Sequence, residues 1–226
     1  SPNAVWIDSG TQTIVGKMFK DEKTAYRAQL RIGFGSVKTE AFVNQFTIAP
    51  PPPFPANPTY VTDVRKVSDR TIALGAGYEM RRGKTRLQGY YGGDFLFWMT
   101  GAKTTYDYGN ALDGVNNTDA SASSNNFGGN IIGVGPGSGR VTENKSGSTL
   151  GIGLFGFIGA EYFILPKISV GAEYSWGVSF STTGEGEVTT ESVGGVGPVV
   201  GKITTKTAGG SSFGIDNSIN GNGSGT

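Results

Sequence analysis

Apolar and polar residues alternate with a period of two along much of this chain. From Thr24 to Gly35 the even positions read Thr24, Tyr26, Ala28, Leu30, Ile32 and Phe34, while the odd positions carry Arg27, Gln29, Arg31 and glycines. From Thr71 to Arg81, Ile72, Leu74, Ala76, Tyr78 and Met80 oppose Thr71, Ala73, Gly75, Gly77, Glu79 and Arg81. From Thr85 onward, Leu87, Tyr91, Phe95, Phe97 and Met99 oppose Arg86, Gln88, Tyr90, Gly92 and Asp94. From Thr149, Leu150, Ile152, Leu154, Ile158, Ala160 and Tyr162 oppose Gly151, Gly153, Gly159 and Glu161. From Ile168, Val170, Ala172, Tyr174, Trp176, Val178 and Phe180 share a face opposite Ser169, Gly171, Glu173, Ser175 and Ser179. A weaker case, Thr11 to Phe19, sets Ile14 and Met18 against Lys17. Successive side chains of a strand point to opposite faces, so each segment predicts a strand with different surroundings on its two sides.

The connections between these strands are of two kinds. Short turns are expected at Lys20–Lys23, Arg82–Lys84 and Pro166–Lys167. Long segments are expected at roughly 38–68, 107–147 and from 183 onward, rich in Pro, Asn, Ser and Gly. Tight turns at one end and long loops at the other are the layout of an outer-membrane barrel. A soluble sandwich alternates too, but its polar face meets water. Here the polar faces carry mainly Gly and isolated charges of both signs, and Tyr26, Tyr78, Tyr162, Tyr174, Trp176 and Phe180 fall toward strand ends as in an interfacial girdle. The expected fold is therefore all-β: one antiparallel transmembrane β-barrel domain over residues 1–226, of about eight strands, with short periplasmic turns and long extracellular loops.

On that expectation Leu30, Ile32, Phe34, Leu74, Tyr78, Phe95, Ile152, Leu154, Val170, Tyr174 and Trp176 face lipid. The inward set holds four cations, Lys17, Arg27, Arg31 and Arg86, and four anions, Glu79, Asp94, Glu161 and Glu173. Buried charges must be paired, because breaking such a pair costs about 3–5 kcal/mol. The balance predicts a hydrogen-bonded plug in a packed or very narrow lumen, with inward glycines leaving room for long Arg and Glu side chains. The competing reading, a carboxylate pair for glycoside hydrolysis, suits mid-strand positions less well than a plug does.

Composition narrows the chemistry. The 226 residues contain 38 Gly, no Cys and no His, so disulfides, thiolate chemistry and histidine acid–base work are excluded. The net charge of +1 gives no footprint for nucleic acid. No apolar run reaches the ~18 residues of a membrane helix. Ser1–Val5 lacks the charged start of a signal peptide, so a mature or trimmed chain is expected.

Several motifs have plain explanations. Gly151–Gly156 has dinucleotide-loop spacing but lies inside an alternating strand with no helix after it. Gly133–Gly137 lacks the Lys of a phosphate loop and reads as a loop tip. Pro50–Pro53 reads as a stiffener of a long loop rather than a polyproline ligand. Asp107, Asp113 and Asp119 miss calcium-loop spacing. No cofactor is expected. Leu96 and Trp98 break the polar side and are expected above the membrane, where strand passes into loop.

Gly16–Phe19 followed by Lys23–Arg27, then Arg86–Gly93, and above all Gly159–Phe163 with Pro166–Glu173, resemble the small outer-membrane β-barrel proteins of Bacteroidota. The resemblance covers most strands but not the long loops. It implies an eight-stranded barrel in the bacterial outer membrane and no shared activity, hence no catalytic residues. Six strands are firm in the pattern, so either further strands lie outside the chain, or the segments Val37–Phe46 and Val199–Thr207 contribute, or a partner closes the sheet. The expected role is a non-enzymatic structural protein or accessory subunit of an outer-membrane complex, with membrane lipid and other outer-membrane proteins or lipoproteins as partners. A small pore or uptake channel, and a surface-binding module working through the loops, are the alternatives.

Overall fold

The computed structural model describes residues 12–47, 58–83, 86–165, 168–194 and 199–216. Within them the chain is all-β, a single antiparallel sheet of 11 strands with one four-residue helix. The lower part runs in the order β1 (Gln12–Phe19), β2 (Thr24–Asn44), β3 (Tyr60–Arg82), β4 (Leu87–Asp107), β7 (Thr149–Leu165), β8 (Ile168–Thr183) and β11 (Gly210–Asp216). Above Thr100, β4 leaves β7 and pairs through Lys103–Thr105 with β6 (Gly139–Lys145). From there the sheet continues to β9 (Gly186–Gly194) and β10 (Val199–Thr207), with the two-residue β5 (Ile131–Ile132) on β6. The helix α1 (Ala120–Ser123) lies in the long β4–β6 connection.

The sheet is strongly curled. β2 and β8 stand four places apart, about 19 Å on a flat sheet at ~4.8 Å per strand. Yet the Arg27 guanidinium meets the Glu173 carboxylate at 2.8 Å. The curl makes one face concave and crowded, the other convex and open.

Register explains which residues share the convex face. Ile14, Leu30, Leu74, Phe97, Ile152, Phe180 and Phe213 are paired in turn across seven strands. All seven are 36–68% exposed. The row below reads Gly16, Ala28, Ala76, Phe95, Leu154, Val178 and Ile215, again without a charge. Along β4 the uncharged face runs from Leu87 to Met99. Twelve steps of ~3.4 Å give about 40 Å of strand, or about 28 Å of height at a ~45° tilt.

Three expectations are revised. Of the expected long segments, 107–147 is mainly loop, with only β5, β6 and α1 in it, whereas 38–68 and 183 onward carry much strand among the described residues: β2 and β3 run on together to Asn44 and Tyr60, and β9, β10 and β11 add strands. The segment Val37–Phe46 extends β2 rather than forming a strand of its own, whereas Val199–Thr207 is β10. Among the described residues the sheet is not closed: in place of one ring of about eight strands, seven follow the curled path and four more branch above β4. Pro50–Pro55 and Pro166–Lys167 lie outside the described residues. Among the described residues no helix is long and apolar enough to cross a membrane, which leaves crossing by strands untouched.

Candidate functional site

Two polar centres stand out: a charged cluster on the concave face low in the sheet, and a hydrogen-bonded lobe around the β4–β6 connection. The first is built by register. Lys17, Arg27, Gly77, Asp94, Phe155 and Gly177 form one row of neighbours, and Ala25, Glu79, Gly92, Phe157 and Ser175 form the next. Large and small residues alternate along the second row, and Gly77 and Gly177 interrupt the large residues of the first, so long side chains reach over glycines toward one another.

Glu79 is the hub. It is 0% exposed, with Lys17 at 2.9 Å, Arg81 at 3.1 Å and Arg27 at 3.8 Å. Arg27 spans the concavity, donating to both oxygens of Glu173 at 2.8 and 3.1 Å and lying 3.7 Å from Asp94. Its guanidinium also stacks 4.0 Å from the Phe157 ring centre. Asp94 accepts from Gln29 at 2.9 Å. Arg81 donates to Glu161 at 2.5 Å and to Gln88 at 3.1 Å, and Glu161 also accepts from the Ser169 hydroxyl. Six of the eight charges read as inward, Lys17, Arg27, Glu79, Asp94, Glu161 and Glu173, thus form one continuous network.

Arg31 lies half-buried on the same face two places above Gln29, paired with Ala73 next to Trp98. Arg86 departs from the expectation. It is exposed just before β4, and its carbonyl accepts the Phe163 amide at 2.8 Å. The residue that supplies the fourth cation is Arg81, buried at the end of β3. Its signal was present in the alternation, which set Arg81 on the face of Glu79. Nearness to the expected turn hid it.

The concave face is also more aromatic than the pattern implied. Phe155, Phe157 and Tyr90 are buried there. The glycines make room for rings more than for charges: a Cβ at Gly159 would overlap the Tyr90 ring, and one at Gly151 the Trp98 ring. Trp98 and Leu96 therefore pack mid-strand against Gly151 and Gly75, not above the band as expected. All eleven residues read as lipid-facing, Leu30, Ile32, Phe34, Leu74, Tyr78, Phe95, Ile152, Leu154, Val170, Tyr174 and Trp176, are exposed on the convex face.

The upper lobe sits on the concave side of the β2–β3 extension. Buried Asp63 of β3 accepts the Gly109 and Asn125 amides at 2.8 and 2.7 Å. Buried Asn110 accepts from the Phe46 amide and donates to the Asn44 and Ser123 carbonyls. Asp119 caps α1, and Ser121 and Ser138 donate to it, which holds its carboxyl below the usual range. Asp113 is lowered likewise by the Asn116 and Val115 amides. Both aspartates therefore build turns. Arg140 is 2% exposed and fixed by Glu191 at 2.7 Å, the Asn110 carbonyl at 2.8 Å and the Ser124 hydroxyl at 2.6 Å. It covers the ring of Tyr108, whose hydroxyl donates to the Val141 carbonyl at 2.5 Å and whose pKa burial pushes up to about 12.

No family model, curated protein or solved structure matches this chain.

Proposed function

We propose that this chain is an outer-membrane β-barrel of the small Bacteroidota type, working as a non-enzymatic structural protein or as an accessory subunit of a larger envelope complex. The observation that carries the reading is the convex face. Seven neighbouring strands present rows of exposed apolar side chains with no charge among them, over about the ~25 Å height of a barrel's lipid band. In water such a surface far exceeds the apolar patch a monomer tolerates. In lipid it is the favoured surface.

Strand direction is compatible with closure of the sheet into a ring. Across the path of seven antiparallel strands, β1 and β11 run the same way. One further strand, running opposite to both, gives an all-antiparallel eight-stranded ring and removes the edges that lipid does not tolerate. The side-chain network supports a structural role over a pore. Charges and rings fill the concave face, as expected for a barrel of about eight strands. Each carboxylate in it is engaged by a cation or an amide, which supports a non-catalytic reading. A solvent-open cleft of about 520 Å³ beside the lobe, lined by Tyr106, Leu112 and Arg140 among others, favours surface binding as the second reading.

The decisive test combines a boiled-versus-unboiled gel with quenching by brominated lipid in single-tryptophan variants. Trp176, on the convex face, is expected to be quenched, and Trp98, on the concave face, is not. Absence of both a heat-dependent shift and Trp176 quenching overturns the barrel. Large single-channel conductance in a planar bilayer overturns the plug. A gentle-detergent pull-down that returns the chain alone removes the subunit role.

A further inference from the structure

We propose that the cleft between the upper end of β4 and the β6–β9–β10 sheet binds a short neutral oligosaccharide. The cleft has a volume of about 520 Å³ and opens to solvent. That lies within the ~300–1,000 Å³ of small-ligand sites. It exists because β4 parts from β7 and turns to β6, leaving a corner roofed by Leu112 of the lobe.

Its lining is chemically mixed. Tyr106 and Leu112 give apolar surface, Thr105 and Thr189 give hydroxyls, and Asp107 and Lys202 add an acceptor and a donor at the rim. The charges cancel. Glu143 lies 3.0 Å from Lys103, and Glu191 is held by Arg140 at 2.7 Å and approached by Lys202 at 3.7 Å. A phosphate or polyanion meets no net positive charge here. A neutral polyol meets donors and acceptors beside the Tyr106 side chain, which suits a sugar ring with its polar rim and apolar faces.

The floor is rigid before any ligand arrives. Arg140 is fixed by three neighbours and stacked 4.1 Å from the Tyr108 ring centre, and Tyr106 stacks in parallel on Tyr108 at 6.3 Å. A site ordered in advance loses less entropy on binding. The cleft is on the side opposite the short β1–β2 and β3–β4 turns. The proposal rests on the barrel reading only for placing that side at the cell surface, so it is tested on purified protein.

The full chain in detergent is applied to an array carrying maltotriose, cellotriose and chitotriose beside uronic-acid trisaccharides. Retention on at least one neutral trisaccharide is expected. Lys202→Trp, which overhangs the cleft from an exposed rim position, lowers retention about tenfold or more, the equivalent of ~1.4 kcal/mol. Asp107→Ala lowers it less, and Val134→Ala, at a loop tip 90% exposed and outside the cleft, leaves it unchanged. Retention on acidic trisaccharides alone, retention on none, or binding indifferent to both Lys202→Trp and Asp107→Ala overturns the proposal. The heat-dependent gel shift on the same samples reports separately whether each variant is folded and whether the barrel reading itself has failed.

Discussion

The lower and upper parts of this molecule use the same strands in opposite ways. In β2 the convex positions read Tyr26, Ala28, Leu30, Ile32 and Phe34, and then Ser36, Lys38 and Glu40. β3 changes from Leu74 and Ile72 to Arg70, Ser68 and Lys66, and β4 from Phe97 and Met99 to Gly101, Lys103 and Thr105. These changes fall beside one another in register. Below the line, as far as Arg82 at the turn end of β3, charge is confined to the concave side and satisfied by other side chains. Above it, ion pairs such as Lys38–Glu40 and Lys103–Glu143 lie exposed, while buried polar groups are satisfied mostly by backbone. The strand geometry of β2 and β3 is continuous across the break, so on the proposed barrel reading it marks a change of surroundings and not a change of fold. That argues for an apolar medium below and water above.

The contrast can be broken most sharply at Arg27. Replacing it with Ala leaves Glu79, Asp94 and Glu173 without their shared cation, an expected loss of about 3–5 kcal/mol in denaturant unfolding from micelles. Arg140→Ala removes an equally buried guanidinium, but the change is expected in hydrogen exchange of the lobe and of β6 and β9 alone. If both variants destabilise the whole chain equally, the two parts are one cooperative unit and the comparison fails.

Ile152→Arg tests the convex face. A charge at mid-band is expected to cost about 2–4 kcal/mol in lipid. Val134→Arg in the lobe is expected to cost nothing measurable. Equal, negligible effects would mean that water touches both surfaces. Gly159→Val tests the crowding inside: its side chain meets the Tyr90 ring and the Ala172 carbonyl, an expected cost of about 1–3 kcal/mol.

The smallest effect belongs to Asp119. Asp119→Ala removes the α1 cap and is expected to cost about 1 kcal/mol, seen as faster exchange around 119–124. Acid acts on the same group. Its carboxyl is held below 3.8 in the folded chain, so its contribution is complete above that value and is lost as pH falls through the lower, folded value. Exchange in this segment therefore rises on acidification below pH ~3.8, and Asp119→Asn is expected to abolish the dependence.

How much of this was legible depended on how strongly each segment alternates. The convex rows through Leu74 and Ile152 followed from apolar residues at every second position. β11, GSSFGID, offers only Phe213 and Ile215, and β9, GEVTTESVG, is polar on both faces, so neither announced itself. Phe155 and Phe157 were passed over because the pattern of their strand was read from its glycines. Arg86 was placed inside by carrying the alternation of Gln88 and Tyr90 back to the strand's start, and a strand end does not fix a side chain as a strand interior does. Arg81, at the last inward position of β3, takes the role instead.

What the sequence determined by itself is which residues share a face, because a strand's side chains alternate whatever the strand pairs with. It thereby determined the all-β class, the uncharged apolar face and the set of charges opposite it. Tertiary structure decided which strands are neighbours and which side chains meet across the concavity. Arg27 and Glu173 are 146 residues apart, and only the accumulated curl of five adjacent strands brings them together. The split of β4 between β7 and β6, and with it the upper cleft, was likewise decided there, since pairing partners depend on backbone geometry that no local pattern encodes.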